Sequence, residues 1–379
     1  MDESELTEEY FEEEPFGVFE AFLEAYEIDG YRDVIRQKHR RQERESKALF
    51  WLARKMRIEP YHLAMCLESI RRNEPLYEVS YRLKEDGSIR KICAPSRLLK
   101  IIQRRINKNI LSEFSPAPNV FGFSGGSILD AIIPLFRGKT ILCVDLKKAF
   151  PTITSDDVFN CLTTDRAVYT TGWGPATRIE SIEYGWFSWT SAKILAELTT
   201  YQEELPQGAP TSPRLFDLVC HNLDKGLLKL AEKVGGVYTR YADNIFFSTK
   251  QEEFPRPVRQ AIIKLIEGRL GLASLHRRHR RSTLNFNWHK LRIMKVDGRP
   301  QRMLGLNIIG NKIHNTRDFK RRLRLTIHHI RWLLDHGMRD TEEFKTAQRK
   351  LRGQMAFARI DTLPQKLLDS YRALEERLN

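Results

Sequence analysis

No stretch of this 379-residue sequence is apolar for long enough to form a helix across a bilayer, so no membrane partner is expected. The opening residues, Met1-Asp2-Glu3-Ser4-Glu5, lack both the basic start and the apolar core of a secretion signal, which makes the cytoplasm the expected location. Cysteine is sparse. Cys66, Cys93, Cys143, Cys161 and Cys220 are scattered without a C-x-x-C pair, a pattern that suits reduced core thiols better than disulfides or a zinc site. Residues 1–30 contain no Lys or Arg against twelve Asp or Glu, so the whole-chain net charge of +14 becomes +26 for residues 31–379. A field of that sign is most often used to hold a polyanion, nucleic acid above all, with a merely solvated basic surface as the alternative.

The acidic start has little apolar surface before Phe19, Phe22, Leu23 and Tyr26, which fall at amphipathic-helix spacing. Simple packing, docking on the basic body, mimicry of nucleic acid, and contact with a protein partner or second copy are all compatible with it. Residues 31–72 read as basic helices with Leu49, Phe50, Leu52, Met56, Leu63 and Leu67 as core positions. Tyr77–Leu83 and Ile89–Cys93 read as the strands of a basic hairpin, suited to phosphate or simply to a solvated edge. A helix over residues 98–111 should bury Leu98, Ile101, Ile102, Ile106 and Ile110, leaving Lys100, Arg104, Arg105 and Lys108 outside.

Thr140-Ile141-Leu142-Cys143-Val144-Asp145 is an apolar strand delivering a carboxylate at its C-terminal end, a rigid way to present a metal ligand and equally a helix-capping pattern. Residues 161–190 yield no chemistry. Leu205-Pro206-Gln207-Gly208-Ala209-Pro210-Thr211-Ser212-Pro213 is a stiff loop leading into an apolar helix. Thr239 to Ser248 then reads as a hairpin with Ala242, Asp243 and Asn244 at its tip, Asp-Asn being common in turns for backbone reasons alone. A helix is expected over 257–275. The His276–Arg281 cluster, which includes Arg277 and Arg278, suits a phosphate-facing loop. Beyond residue 311 the chain reads as a basic helical bundle. Asn315 or Thr316 caps its first helix, Arg317, Lys320, Arg321 and Arg324 lie off the apolar stripe, and Asp340 with Glu343 forms a capping box for the next.

The strand-end Asp145 with Phe150 five residues on, the Leu-Pro-Gln-Gly loop and Tyr241-Ala242-Asp243-Asn244 stand in the order of the palm motifs that they resemble, those of prokaryotic reverse transcriptases of the retron and group II intron-like branch. Lys84-Glu85-Asp86-Gly87 with Arg90, and Gln103-Arg104-Arg105-Ile106, resemble its fingers motifs; Lys290, Gln301 and Leu304-Gly305-Leu306 resemble its late palm motifs. The resemblance implies an α+β right-hand polymerase. Its parts would be an acidic segment (1–30), an N-terminal helical region (31–75), fingers (76–135), a palm (136–310, with an insertion at about 161–190 that belongs either to it or to the fingers) and a helical thumb (311–379).

The family's chemistry implies two Mg²⁺ ions, or Mn²⁺, on Asp145, Asp243, the Leu146 carbonyl and Asn244, with the two aspartates catalytic. Lys84, Arg90, Phe150, Gln207, Gly208 and Lys290 would bind the dNTP, Phe150 as a steric gate against the 2′-hydroxyl. Leu304 and Gly305 would form the primer grip, and Arg104, Arg105, Arg277, Arg278, Arg317, Lys320, Arg321 and Arg324 would contact nucleic acid. The implied function is RNA-directed DNA synthesis on a cognate non-coding RNA, in anti-phage defence.

The sequence departs from the family at two places. Asn244 stands where a second aspartate is usual, which leaves three outcomes: ordinary activity, slow or Mn²⁺-dependent activity, or nucleic-acid binding without catalysis. Ile128-Leu129-Asp130-Ala131-Ile132 lacks the histidine of the retron element, and Met303-Leu304-Gly305 replaces Val-Thr-Gly, which resembles defence-associated reverse transcriptases beside the typical retrons. The alternatives are a silent RNA-binding subunit and a template-independent or protein-primed synthesiser.

Overall fold

The structure, a computed structural model, describes residues 31–83, 87–123, 125–163, 166–169, 179–183, 187–267, 284–287, 289, 291–296 and 299–378. The acidic segment 1–30, Lys84, Arg277, Arg278, Lys290 and the expected helical residues 268–275 lie outside them. Helices α1 (Tyr31–Met56) and α2 (Pro60–Arg71) precede strands β1 (Tyr77–Leu83) and β2 (Ile89–Pro95), and α3 (Arg97–Asn109) follows. Next come β3 (Val120–Phe121), α4 (Ile128–Ile132), β4 (Thr140–Lys147), α5 (Ala149–Thr152), α6 (Ser155–Thr163), the paired β5 (Arg166–Tyr169) and β6 (Ile179–Glu183), and α7 (Trp189–Thr199). Helices α8 (Ser212–Val219) and α9 (His221–Val234) lead into β7 (Val237–Tyr241), β8 (Asn244–Thr249) and α10 (Arg256–Glu267). The last third contains β9 (Asn285–Phe286), β10 (Arg292–Lys295), β11 (Gln301–Met303), β12 (Leu306–Ile309), β13 (Lys312–Asn315), α11 (Arg317–Asp335), α12 (Glu342–Phe357) and α13 (Gln365–Leu378).

The α+β architecture expected from the sequence is present, and a central sheet in the order β10-β4-β8-β7-β3 organises it, with β9 pairing the far end of β4. All its pairs are antiparallel except β3 with β7. Strand β4 reads as an unbroken apolar run because both its faces are covered. Successive side chains alternate faces, so Leu142, Val144 and Leu146 enter the large core shared with α1–α3 and α6–α10, while Ile141 and Cys143 enter a second core. Ile245 and Phe247 of β8 join the first core and Phe246 the second, which locks the register. The second core also takes Met303, Leu306 and Ile308, tying the small sheet β11-β12-β13 to the central one. A third cluster holds α11, α12 and α13 together through residues such as Leu323, Ile330, Leu351 and Leu367.

Several sequence expectations shift in register. Asn244 belongs to β8, so only Ala242 and Asp243 make the turn. On α1, Leu52 and Met56 are fully buried and Leu49 partly buried as expected, whereas Phe50 is 54% exposed. On α3 the buried residues are Leu99, Ile102, Gln103 and Ile106, one step round from Leu98 and Ile101. Gln103 can be buried because its amide donates to Tyr77 Oη and to the Leu198 carbonyl, each at 2.9 Å. Thr316 caps α11 as expected, its side chain accepting from the Phe319 amide. The cap of α12 is Thr341, whose hydroxyl accepts from the Phe344 amide at 3.2 Å, and not Asp340. A hydroxyl caps as well as a carboxylate, so sequence alone could not separate the neighbours. All five cysteines are free and buried, and burial pushes the Cys66 and Cys143 thiols up to about 11. Among the described residues, no helix is long and apolar enough to cross a membrane.

Candidate active site at the ends of the central strands

The antiparallel register of β4 with β8 sets Asp145 directly opposite Asn244. Asp243 precedes Asn244 in the turn, and its carbonyl accepts from the Leu146 amide at 3.0 Å, so the backbones of both expected aspartate sites are tied together. The Asn287 amide donates to the Asp145 carbonyl at 2.9 Å, fixing that end of β4 from its other side. Asp145, Asp243 and Asn244 are half-buried, and Asn244 Nδ2 donates to Asp243 Oδ1 at 3.1 Å. Two carboxylates with an amide and main-chain carbonyls nearby offer hard oxygen donors, the kind that Mg²⁺ and Mn²⁺ prefer, so the residues present fit a divalent cation.

The turn itself is unusual. Ala242 has φ +54°, a left-handed conformation that a residue with a Cβ adopts at a cost of about 1–2 kcal/mol. Its amide donates to the Phe121 carbonyl at 3.1 Å, and its carbonyl accepts from Arg240 Nη1 at 2.9 Å. Arg240 is fully buried. Its Nε and Nη2 grip both carboxylate oxygens of Asp224 (α9) at 2.8 and 2.7 Å, and Nη1 also reaches Asp217 (α8) at 2.8 Å. The Tyr238 hydroxyl completes the group by donating to Asp224 Oδ1 at 2.5 Å. Burial works against the Arg240 charge, but the two carboxylates more than offset it and hold the guanidinium well above its ordinary value. Burial beside Asp224 likewise raises the Tyr238 phenol.

Sequence reasoning passed over Arg240, Asp217 and Asp224. Asp217 carried a signal, because it interrupts the apolar run Leu215-Phe216-Asp217-Leu218-Val219 and so had to be either exposed or paired.

Phe150 follows β4 on α5, just after Lys148 at φ +49°. It is half-buried, with ring centroids 5.6 Å from Phe123 and 5.4 Å from Phe216. The loop carrying Gln207 and Gly208 lies against β2: the Cys93 amide donates to the Gln207 carbonyl at 2.7 Å. Gly208 has φ +117°, and a Cβ there would come within 3.0 Å of the Cys93 carbonyl, so this close approach requires glycine. Arg90 stands three residues back from Cys93 on β2, about 10 Å at strand rise, exposed and paired across the ladder with Arg82. Hence the loop and the Arg90 strand form one unit.

Leu304 and Gly305, at φ +48° and +81°, make the two-residue turn of the β11–β12 hairpin, and Leu304 shares its cluster with Phe357 of α12. The expected nucleic-acid contacts lie on other elements. Arg104 is exposed and Arg105 half-buried on α3; Arg317, Arg321 and Arg324 are exposed and Lys320 half-buried on α11.

Comparison with known proteins bears on the family of the chain. A family model described as reverse transcriptase (RNA-dependent DNA polymerase) matches residues 83–308. The retron Ec86 reverse transcriptase of Escherichia coli is 32% identical over 243 residues, 64% of this chain and 65% of that protein. The retron Mx65 reverse transcriptase of Myxococcus xanthus is 28% identical over 264 residues, 65% of this chain and 54% of that protein. The chain thus spans less than two thirds of the length of either relative. Among solved structures, the foamy viral protease-reverse transcriptase in complex with double-stranded DNA aligns at 17% identity and a TM-score of 0.37, over 80% of this chain and 43% of that one. With the matched region covering more than half of its residues, the chain belongs to the reverse transcriptase family.

Proposed function

We propose that the chain is an RNA-directed DNA polymerase whose reaction centre is the strand end shared by Asp145 and Asp243. The observation that carries this reading is the β4–β8 register, which sets Asp145 opposite Asn244 and brings residues 98 apart in sequence to one edge. Asp145 and Asp243, with the Leu146 carbonyl and the Asn244 amide oxygen, would hold two Mg²⁺ ions or Mn²⁺. Bound there, the ions would activate the primer 3′-hydroxyl and neutralise charge on the leaving pyrophosphate.

The other residues orient the reactants. The planar Arg90 guanidinium suits bidentate grip of triphosphate oxygens, with Lys84 and Lys290 assisting. Phe150, backed by Phe216, puts an aromatic ring under the sugar and discriminates against a 2′-hydroxyl. Gln207 and Gly208 line the template and incoming base, and Leu304 and Gly305 grip the primer. In this reading residues 76–135 are the fingers, 136–310 the palm and 311–379 the thumb, whose exposed Arg317, Arg321 and Arg324, with Lys320, track a phosphate backbone, as do Arg104 and Arg105. A cognate structured non-coding RNA is the template, its shape and 2′-hydroxyls being read by basic helices. The resemblance of the motifs to defence-associated enzymes supports anti-phage defence as the setting.

The test is extension of a primed RNA template with labelled dNTPs under Mg²⁺ and under Mn²⁺, together with sequencing of the nucleic acid that co-purifies. Template-dependent incorporation and one enriched RNA are expected. RNA retention without incorporation under either metal would sink the polymerase reading and leave a silent RNA-binding subunit.

A further inference from the structure

We propose that Arg240 is a positioning residue for the reaction centre: its buried guanidinium fixes the Ala242 carbonyl and thereby the aim of the Asp243 carboxylate. The kinetic part of this inference rests on the polymerase reading above. Burying one guanidinium with two carboxylates is an expensive way to stabilise a core, since apolar residues of similar volume commonly do as well. What apolar residues could not do is donate. Beyond the two carboxylates, the bond that Arg240 Nη1 makes is to the carbonyl of Ala242, the residue immediately before Asp243.

That residue has a left-handed backbone, φ +54°, which costs free energy in any residue with a Cβ and persists only where its surroundings hold it. The clamp has two independent parts. Asp224 anchors the guanidinium through Nε and Nη2, while Asp217 engages Nη1, the same nitrogen that meets Ala242, and so sets its direction. The guanidinium carbon also lies 5.4 Å from the centre of the Phe216 ring, and that ring backs Phe150. One buried group therefore supports both the acidic turn and the floor beneath the candidate sugar gate.

Asp217→Asn and Arg240→Lys in the full chain separate positioning from plain stability. Asparagine keeps the Asp224 fork intact but weakens the hold on Nη1; lysine keeps the charge but has no fork to span Asp224 and Ala242. Single-nucleotide burst kinetics on a primed RNA should give an unchanged burst amplitude and a dNTP KM within about twofold. The burst rate constant should fall about 10-fold for Asp217→Asn and about 100-fold for Arg240→Lys, the scale expected for a misplacement near 1 Å. Hydrogen exchange should quicken at least ~10-fold at the turn amides 242–244 and stay unchanged in β1 and β2.

A burst amplitude that drops with the folded fraction while the rate constant holds would overturn the positioning role, as would unchanged exchange at the turn. If the unaltered chain incorporates nothing, the polymerase reading fails, and the exchange measurement alone still decides whether Arg240 holds the turn.

Discussion

Two antiparallel hairpins carry the candidate chemistry, and they are built in opposite ways. In β7–β8 most side chains are buried, its one arginine is fully enclosed by two carboxylates, and its turn is bonded to β3 and β4. In β1–β2 the outer half is exposed: Tyr81, Arg82, Leu83, Ile89 and Arg90 all face water, and like-charged Arg82 and Arg90 are cross-strand partners. The first design suits metal ligands, whose geometry must hold within fractions of an ångström. The second suits a polyphosphate, which long cationic side chains can follow as it arrives and leaves. The link between them is indirect: β2 bonds the Gln207 loop, that loop leads into α8, and Asp217 of α8 bonds Arg240 of β7.

The contrast predicts different failures for the two hairpins. Replacing Asp145 or Asp243 by Ala should abolish incorporation, at least ~10³-fold in single-turnover rate, with stability nearly unchanged because both side chains are only half-buried. Retained activity in either variant would remove that residue from the site. Asp224→Ala should instead cost about 3–5 kcal/mol in urea unfolding, since it strands a buried guanidinium with Asp217 as its one remaining carboxylate. A cost below about 1 kcal/mol would mean that the pair is not buried in solution.

Arg90→Ala, on the open hairpin, should raise dNTP KM about tenfold, move stability by no more than about 0.5 kcal/mol and make binding less sensitive to salt. If kcat alone fell, Arg90 would be acting on the reacting atoms. The smallest effect is expected from Asn244→Asp. It replaces the donor to Asp243 Oδ1 with a like charge, and should shift the ratio of Mn²⁺- to Mg²⁺-supported activity toward Mg²⁺ by a few-fold. No shift would take residue 244 out of the ligand set.

Much of this was legible in residue patterns. The uninterrupted apolar run of β4 and the aromatic strands around Ala242-Asp243 have few other uses, and both stand where expected. Misreadings fell where neighbours are chemically alike. Leu98 and Leu99, or Asp340 and Thr341, differ by one position, and only packing chooses between them. The larger omission was polar. Asp224 and Arg240 look like any charged residues on amphipathic elements; the apolar run around Asp217 signals that it is exposed or paired, but nothing local reveals that aspartates from two helices meet one strand-borne arginine.

Sequence by itself determined the family pattern, the strand that ends in Asp145 and the hairpin that offers Asp243, because alternation and turn chemistry are local. The tertiary structure alone decided that Asp145 faces Asn244 across a ladder, that Ala242 is held left-handed, and that a buried guanidinium bonds its carbonyl. Those are matters of register and enclosure, set by which faces the two cores cover rather than by any residue's own preference.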